Sequence, residues 1–295
     1  MEMLHFDFMQ RAFCAGGLIA LIASVLGVFL MLRRQALMAD MLSHVSLAGV
    51  AAGAYLNINP TLTGFVAAVI GAIAVEYVRK SYKTYSEISI AIIMIGGLSM
   101  AVVLMSLNTG VTKSFTSYLF GSVVAVTQTE LWLMVFVALL GGIFFYFFRR
   151  PLYQITFDEE TAKTGGLPVH WISLGFSVMT GMIVAAAMPI VGVLLVSSLI
   201  VLPASLAIRI ASSFHAAIFI SMAIGLVGVF SGLTASYELG TPPGGSIALF
   251  LLLILITGIA VKKIVVKLGK RNIRKTNQLI ELGNNPMPRF SKEGM

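Results

Sequence analysis

Uninterrupted apolar runs dominate this chain and leave it few possible folds. They lie at 12–32, 40–57, 61–79, 88–107, 130–148, 171–188, 190–210, 215–234 and 246–264. A helix crosses a bilayer with about 20 mostly apolar residues, whereas a transmembrane barrel is written in short alternating segments. The runs therefore predict an all-α, polytopic transmembrane helical bundle of about 8–9 spans. Composition agrees: 58% of residues are hydrophobic and 11% are charged, against about 25% charged in soluble domains.

The net charge of +8 is unevenly placed: from Lys262 onwards there are nine basic residues and two acidic ones. That pattern suits a cytoplasmic tail beside an anionic leaflet, not a nucleic-acid-binding protein. We expect a membrane domain over 1–264 and a basic, partly disordered tail over 265–295. The other basic clusters are Arg33 with Arg34, Arg79 with Lys80 and Lys83, and Arg149 with Arg150 and Lys163. All fall on the cytoplasmic side if the N-terminus is outside and nine runs cross. The connections at 57–60, 108–130, 188–189 and 236–245 then face outward, and 108–130 holds a short re-entrant or interfacial helix. A single cysteine, Cys14, excludes an intrachain disulfide and is expected to be a small core residue. The N-terminal flank is mixed in charge and does not read as a signal peptide.

Asp40 and His44 stand four residues apart in "LRRQALMADMLSHVSLAGVAAG", on one face of a helix. Two readings compete. A carboxylate and a neutral imidazole suit a transient zinc or manganese site in a permeation path, with Met38, Met41 and Ser43 nearby. Alternatively, Asp40 is satisfied by backbone N–H groups or Arg34, and His44 by a neighbouring helix. The most polar internal stretch is "RRPLYQITFDEETAKTGGLPVHWISL", a central loop opened by Arg149 and Arg150. In it Asp158, Glu159, Glu160, Thr161, Ala162 and Lys163 start a short amphipathic helix, Gly165 and Gly166 end it, and Pro168 prevents its continuation. Such a helix is a docking element, or the stretch is simply solvated. Pro203 lies in an apolar run among Ser197, Ser198 and Ser205, which reads as a kinked gating helix or as plain packing. Glu76 precedes Arg79 and Lys80 by one turn, so a local ion pair is expected. Glu238 reads as a vestibule residue or a solvated acid before the break at Pro242-Pro243-Gly244-Gly245. His5, His170 and His215 fall at span edges and need no special role.

The chain has no phosphate-binding loop, no HExxH pair and no GxSxG elbow, so it is not expected to hydrolyse ATP or peptides itself. "LRRQALMADMLSHVSLAG", "EISIAIIM", "YLFGSVVAV", "TFDEETAKTGGLPV" and "GVLLVSSLIVLPASLAIRI" together resemble the membrane permease subunits of bacterial ABC importers for zinc and manganese. The resemblance covers roughly Phe8 to Lys263 and is most like the zinc permeases of Gram-positive bacteria. It implies the vitamin B12-importer-like, type II ABC importer fold and a homodimer enclosing a pore. ABC ATPase subunits would dock on the coupling helix at about 158–168, so ATP is used only through the partner. An extracellular metal-binding lipoprotein would deliver Zn2+ (or Mn2+), with no permanently bound cofactor. It also implies a multi-pass protein of the bacterial cytoplasmic membrane with a cytoplasmic C-terminus. The family's aspartate–histidine pair maps onto Asp40 and His44. Alternatives are a manganese or iron permease, a proton-coupled secondary metal transporter, or a siderophore permease that would not depend on Asp40 and His44.

Overall fold

The computed structural model describes residues 6–81, 86–107, 112–122 and 126–283. The regular elements among them are α-helices: α1 (Asp7–Leu32), α2 (Leu37–Tyr55), α3 (Pro60–Ser81), α4 (Ser86–Leu107), α5 (Thr112–Phe120), α6 (Gln128–Phe157), α7 (Glu159–Thr164), α8 (Val169–Val191), α9 (Val196–Ile210), α10 (Phe214–Leu239) and α11 (Pro243–Gly283). Two compact units divide the chain, Met1–Leu255 and Ile256–Met295. The described part of the second is helical, from α11. The expected boundary at 264/265 falls inside that helix, while residues 284–295 of the expected tail, Lys83 and His5 lie outside the described residues.

In the first unit α1 and α8 are buried along most of their length, whereas α4 and α6 face outward. Phe29, Phe145 and Phe176 meet at the centre, with ring centroids 5.5 Å (Phe29–Phe145) and 6.3 Å (Phe29–Phe176) apart. Leu26, Leu30, Met38, Met41, Leu42 and Ile183 fill the space around them. Helices in lipid associate by close packing, because hydrocarbon is as apolar as leucine. The α2–α3 seam illustrates this: a Cβ on Gly49 would lie 2.6 Å from the Thr63 carbonyl oxygen and 2.4 Å from Ala67 Cβ. Beside that seam α3 exposes Leu62, Val66, Ile70, Ile73 and Tyr77, a helical-period stripe suited to hydrocarbon. Cys14 is exposed, contrary to the expected core position. It sits on an outward side of α1, where a thiol behaves as a small apolar group.

Helix ends explain the agreements and the differences. At 57–60 the expected turn forms: Asn57 adopts φ 57°, and Asn59 Oδ1 accepts from the backbone N–H of Thr61 at 3.0 Å, with Pro60 opening α3. The expected short helix after 108 is α5. Thr127 and Glu130 form a capping box that starts α6. That helix continues through Arg149, Arg150 and Pro151, so the expected central loop is helical as far as Phe157. Its last turns are held by Leu152 and Ile155, both buried. The connection expected at Met188–Pro189 is also displaced. α8 runs through Pro189 and stops at Val191, because Gly192 turns left-handed at φ 83°. The apolar run 190–210 is thereby cut to the 15-residue α9. Eight helices among the described residues are long and apolar enough to cross a membrane, the lower end of the expected count.

Candidate functional site

α1 and α2 are joined by a tight turn in which Arg34 adopts φ 58° and Gln35 N–H donates to the Leu30 carbonyl at 2.8 Å. Asp40 therefore falls in the first turn of α2, and His44 one turn deeper, about 6 Å further along the axis. His44 Nε2 stands 3.9 Å from Asp40 Oδ2, with side-chain exposures of 12% and 33%. A tetrahedral zinc, with bonds of about 2.0–2.1 Å, holds adjacent ligands about 3.4 Å apart, so a small closing motion would let both grip one ion. His44 Nδ1 is buried without a partner. Arg34 does not pair with Asp40, and neither the Asp40 nor the His44 side chain has a hydrogen bond among the described residues. Met38 and Met41 point into the core instead, and the Ser43 hydroxyl is spent on the Asp40 backbone carbonyl at 2.7 Å. Among the described residues no cluster of three or more His, Cys, Asp or Glu could hold a metal.

Glu159 to Thr164 form α7, where the sequence places a short helix. Asp158 caps it, its carboxylate accepting from Thr161 N–H at 2.9 Å and Thr161 Oγ1 at 2.5 Å. Those bonds hold the Asp158 carboxyl below the usual carboxylate range. Glu159 and Glu160 in the first turn and Lys163 in the last complement the helix dipole. At the other end Leu167 N–H reaches the Ala162 carbonyl and Gly166 N–H reaches that of Lys163, both at 3.2 Å. This closing motif needs the left-handed φ of 83° that Gly166 supplies. Ala162 is buried and anchors the helix, while Asp158, Glu159, Glu160, Thr161, Lys163, Gly165, Gly166 and Pro168 are exposed. Pro203 is buried in α9, which packs mainly on α1 and α10.

A polar cluster at the same end extends the expected local ion pair. Glu76 is buried and pairs with Arg79 at 2.7 Å, as expected. It also accepts from Ser177 Oγ at 3.1 Å. Arg79 and Arg33 both donate to Ser173 Oγ, each at 2.9 Å, and Arg33 stacks over the Phe176 ring at 4.8 Å. Burial and Arg79 pull Arg33 down to about 10, opposed by Glu76 and Glu159, so it remains a cation at neutral pH. A cavity of about 790 Å³ joins this cluster to α7, lined by Arg33, Gln35, Glu76, Arg79, Glu159, Glu160, Lys163 and His170 among others. Its sequence signal was visible: one glutamate in an apolar run, and two serines a turn apart on α8.

Residues 5–262 match the ABC 3 transport family. A probable metal transport system membrane protein of Treponema pallidum is 32% identical over 89% of this chain and 98% of its own. The high-affinity zinc uptake system membrane protein ZnuB of Haemophilus influenzae is 29% identical over 83% of this chain and 94% of its own. The manganese transport system membrane protein MntC of Halalkalibacterium halodurans is 27% identical over 84% and 85%. Among solved structures, PsaBC from Streptococcus pneumoniae in complex with Fab superposes with a TM-score of 0.77 at 27% identity, covering 87% of this chain and 93% of that one. The helical bundle is the type II importer fold that the motifs implied. The chain belongs to the ABC 3 transport family, as a multi-pass membrane permease of an ABC transporter and not an enzyme in its own right.

Proposed function

We propose that this chain is the permease of an ATP-driven importer for divalent metal ions, with zinc as its cargo. The observation that carries the reading is the Asp40–His44 pair: a carboxylate and an imidazole 3.9 Å apart on a membrane helix, with no side-chain hydrogen bond among the described residues. Polar groups at such a place are costly unless they serve a function. Two ligands do not complete a zinc site, but a homodimer brings two aspartates and two histidines, the four-ligand set zinc favours. Manganese favours about six oxygen-rich ligands, which argues for zinc although relatives carry both names. Incomplete protein ligation suits a cargo that must leave. ABC ATPase subunits dock on α7 from the cytoplasm, and a metal-binding lipoprotein delivers the ion at the opposite end. The C-terminus lies in the cytoplasm.

The test is radiotracer uptake by proteoliposomes holding this chain, its ATPase and its binding protein, for zinc and for manganese, with and without ATP. Zinc uptake should require ATP and fall at least about a hundredfold in both Asp40→Asn and His44→Ala, as losing one of few metal ligands implies. Uptake that survives both changes would move the metal path elsewhere, and uptake indifferent to ATP would favour a secondary transporter. Manganese outcompeting zinc at equal concentration would overturn the cargo.

A further inference from the structure

The cluster around Glu76 is unbalanced. Two guanidinium groups, Arg33 and Arg79, converge on one hydroxyl, Ser173 Oγ, and only Glu76 supplies a counter-charge within it. Glu76 spends one oxygen on Arg79 and the other on Ser177. Arg33 Nη1 and Gln35 Oε1 are both buried without a partner. Across the same cavity stand Glu159 and Glu160 of α7. Both are exposed, and neither forms an ion pair among the described residues. The charge the cluster lacks is therefore carried by the helix that faces it.

Arg33 also occupies a mechanical joint. Its backbone N–H closes α1 on the Phe29 carbonyl at 2.9 Å. The turn it opens leads within four residues to α2 and within seven to Asp40. Its side chain leaves that joint for α8, where Ser173 and Phe176 hold it.

We infer that Arg33 is the positioning residue through which α7 acts on the metal-bearing helix. As α7 closes on the cavity, the Glu159 carboxylate pairs with the unpartnered Arg33 Nη1 and draws the guanidinium away from α8, so that the Nη2–Ser173 hydrogen bond breaks. The α1–α2 turn then shifts and carries Asp40 and His44 with it. Arg33 touches neither metal nor nucleotide in this scheme. The inference rests on the proposed reading of α7 as an ATPase docking helix.

The measurement is metal delivered per ATP hydrolysed, in proteoliposomes containing the complete importer. Arg33→Gln should lower that ratio at least about fivefold, the smallest effect expected of a genuine coupling between sites, while the ATPase still co-purifies with the permease. Glu159→Gln should lower it similarly. The charge exchange, Arg33→Glu with Glu159→Arg, should recover at least about half of the wild-type ratio, which a merely structural role would not allow. An unchanged ratio in Glu159→Gln, whose exposed side chain is not needed for folding, overturns the inference even if Arg33→Gln fails to assemble. A loss in both single variants that the exchange leaves untouched overturns it too. A wild type without ATP-dependent uptake overturns the functional reading, and this inference with it.

Discussion

Glu76 shows how much of this fold a single carboxylate holds. Its neighbours Arg79 and Ser177 saturate both oxygens, and Arg33 depends on its charge through the shared Ser173. Removing one partner of a buried ion pair leaves the other uncompensated, at a cost of about 3–5 kcal/mol. We expect Glu76→Ala to destabilise the protein by about 3 kcal/mol, read as a lower unfolding temperature in detergent, with Glu76→Gln less severe because it keeps a Ser177 acceptor. A loss below about 0.5 kcal/mol would mean the pair is solvated. The spacing of Glu76 and Arg79 was legible in sequence as a helical pair. Its reach to α8 and to Arg33 was not, because a contact across about 100 residues leaves no periodic trace. Asp40 and His44 carry the second residue-scale expectation. A metal competes with protons for a carboxylate and an imidazole, so zinc uptake should decline as pH falls from about 7.5 to 5.5. A flat profile, with ATPase and binding protein unaffected, would count against the pair.

α7 is the element the sequence specified most completely. Asp158, the acidic first turn, Lys163 and the two glycines are all local signals, and local signals suffice for a helix whose ends are capped by its own flanks. Asp158 has a depressed carboxyl pKa in the folded state. Its contribution is therefore present above the unfolded carboxylate pKa of about 3.9 and is lost only as pH falls through the lower folded value. The cap thus survives at pH 5.5, and a decline in uptake there is not a failure of α7. Gly166→Val should unwind the closing turn, since a β-branched residue resists the left-handed region by about 1–2 kcal/mol. It should weaken ATPase co-purification while leaving the unfolding temperature nearly unchanged. Undiminished co-purification would show that α7 docks without its C-terminal cap. The α8–α9 break was misplaced by a few residues for an equally physical reason. Proline 189 is tolerated within the last turn of α8, whereas Gly192 has the conformation that stops it.

At the scale of the whole molecule, that break leaves α9 the shortest of the helices formed by the nine apolar runs. At about 1.5 Å per residue its 15 residues span about 22 Å, short of a hydrocarbon core of about 30 Å. A helix this short crosses only if the backbone at its start is satisfied inside the protein. The structure meets that condition. Val193 N–H donates to the Tyr118 carbonyl at 2.9 Å and Leu194 N–H to that of Leu119 at 3.3 Å. Both acceptors lie in the last turn of α5, where carbonyls have no partner within their own helix. Gly192 permits the approach, since a Cβ there would fall 2.4 Å from the Leu119 carbonyl oxygen. α5 thus lets the run at 190–210 turn early and still carry the chain back towards the α7 end. Three helices, α8, α9 and α10, separate Lys163 from Thr241, so an α9 that crosses puts the two residues on opposite sides of the membrane. With Cys14 changed to serine, single cysteines at Lys163 and Thr241 can be probed with a membrane-impermeant maleimide in right-side-out vesicles. The Thr241 site should label at once and the Lys163 site only after permeabilisation. Labelling of both from outside would mean that α9 does not cross, and labelling of the Lys163 site alone would invert the protein and remove α7 from any cytoplasmic ATPase.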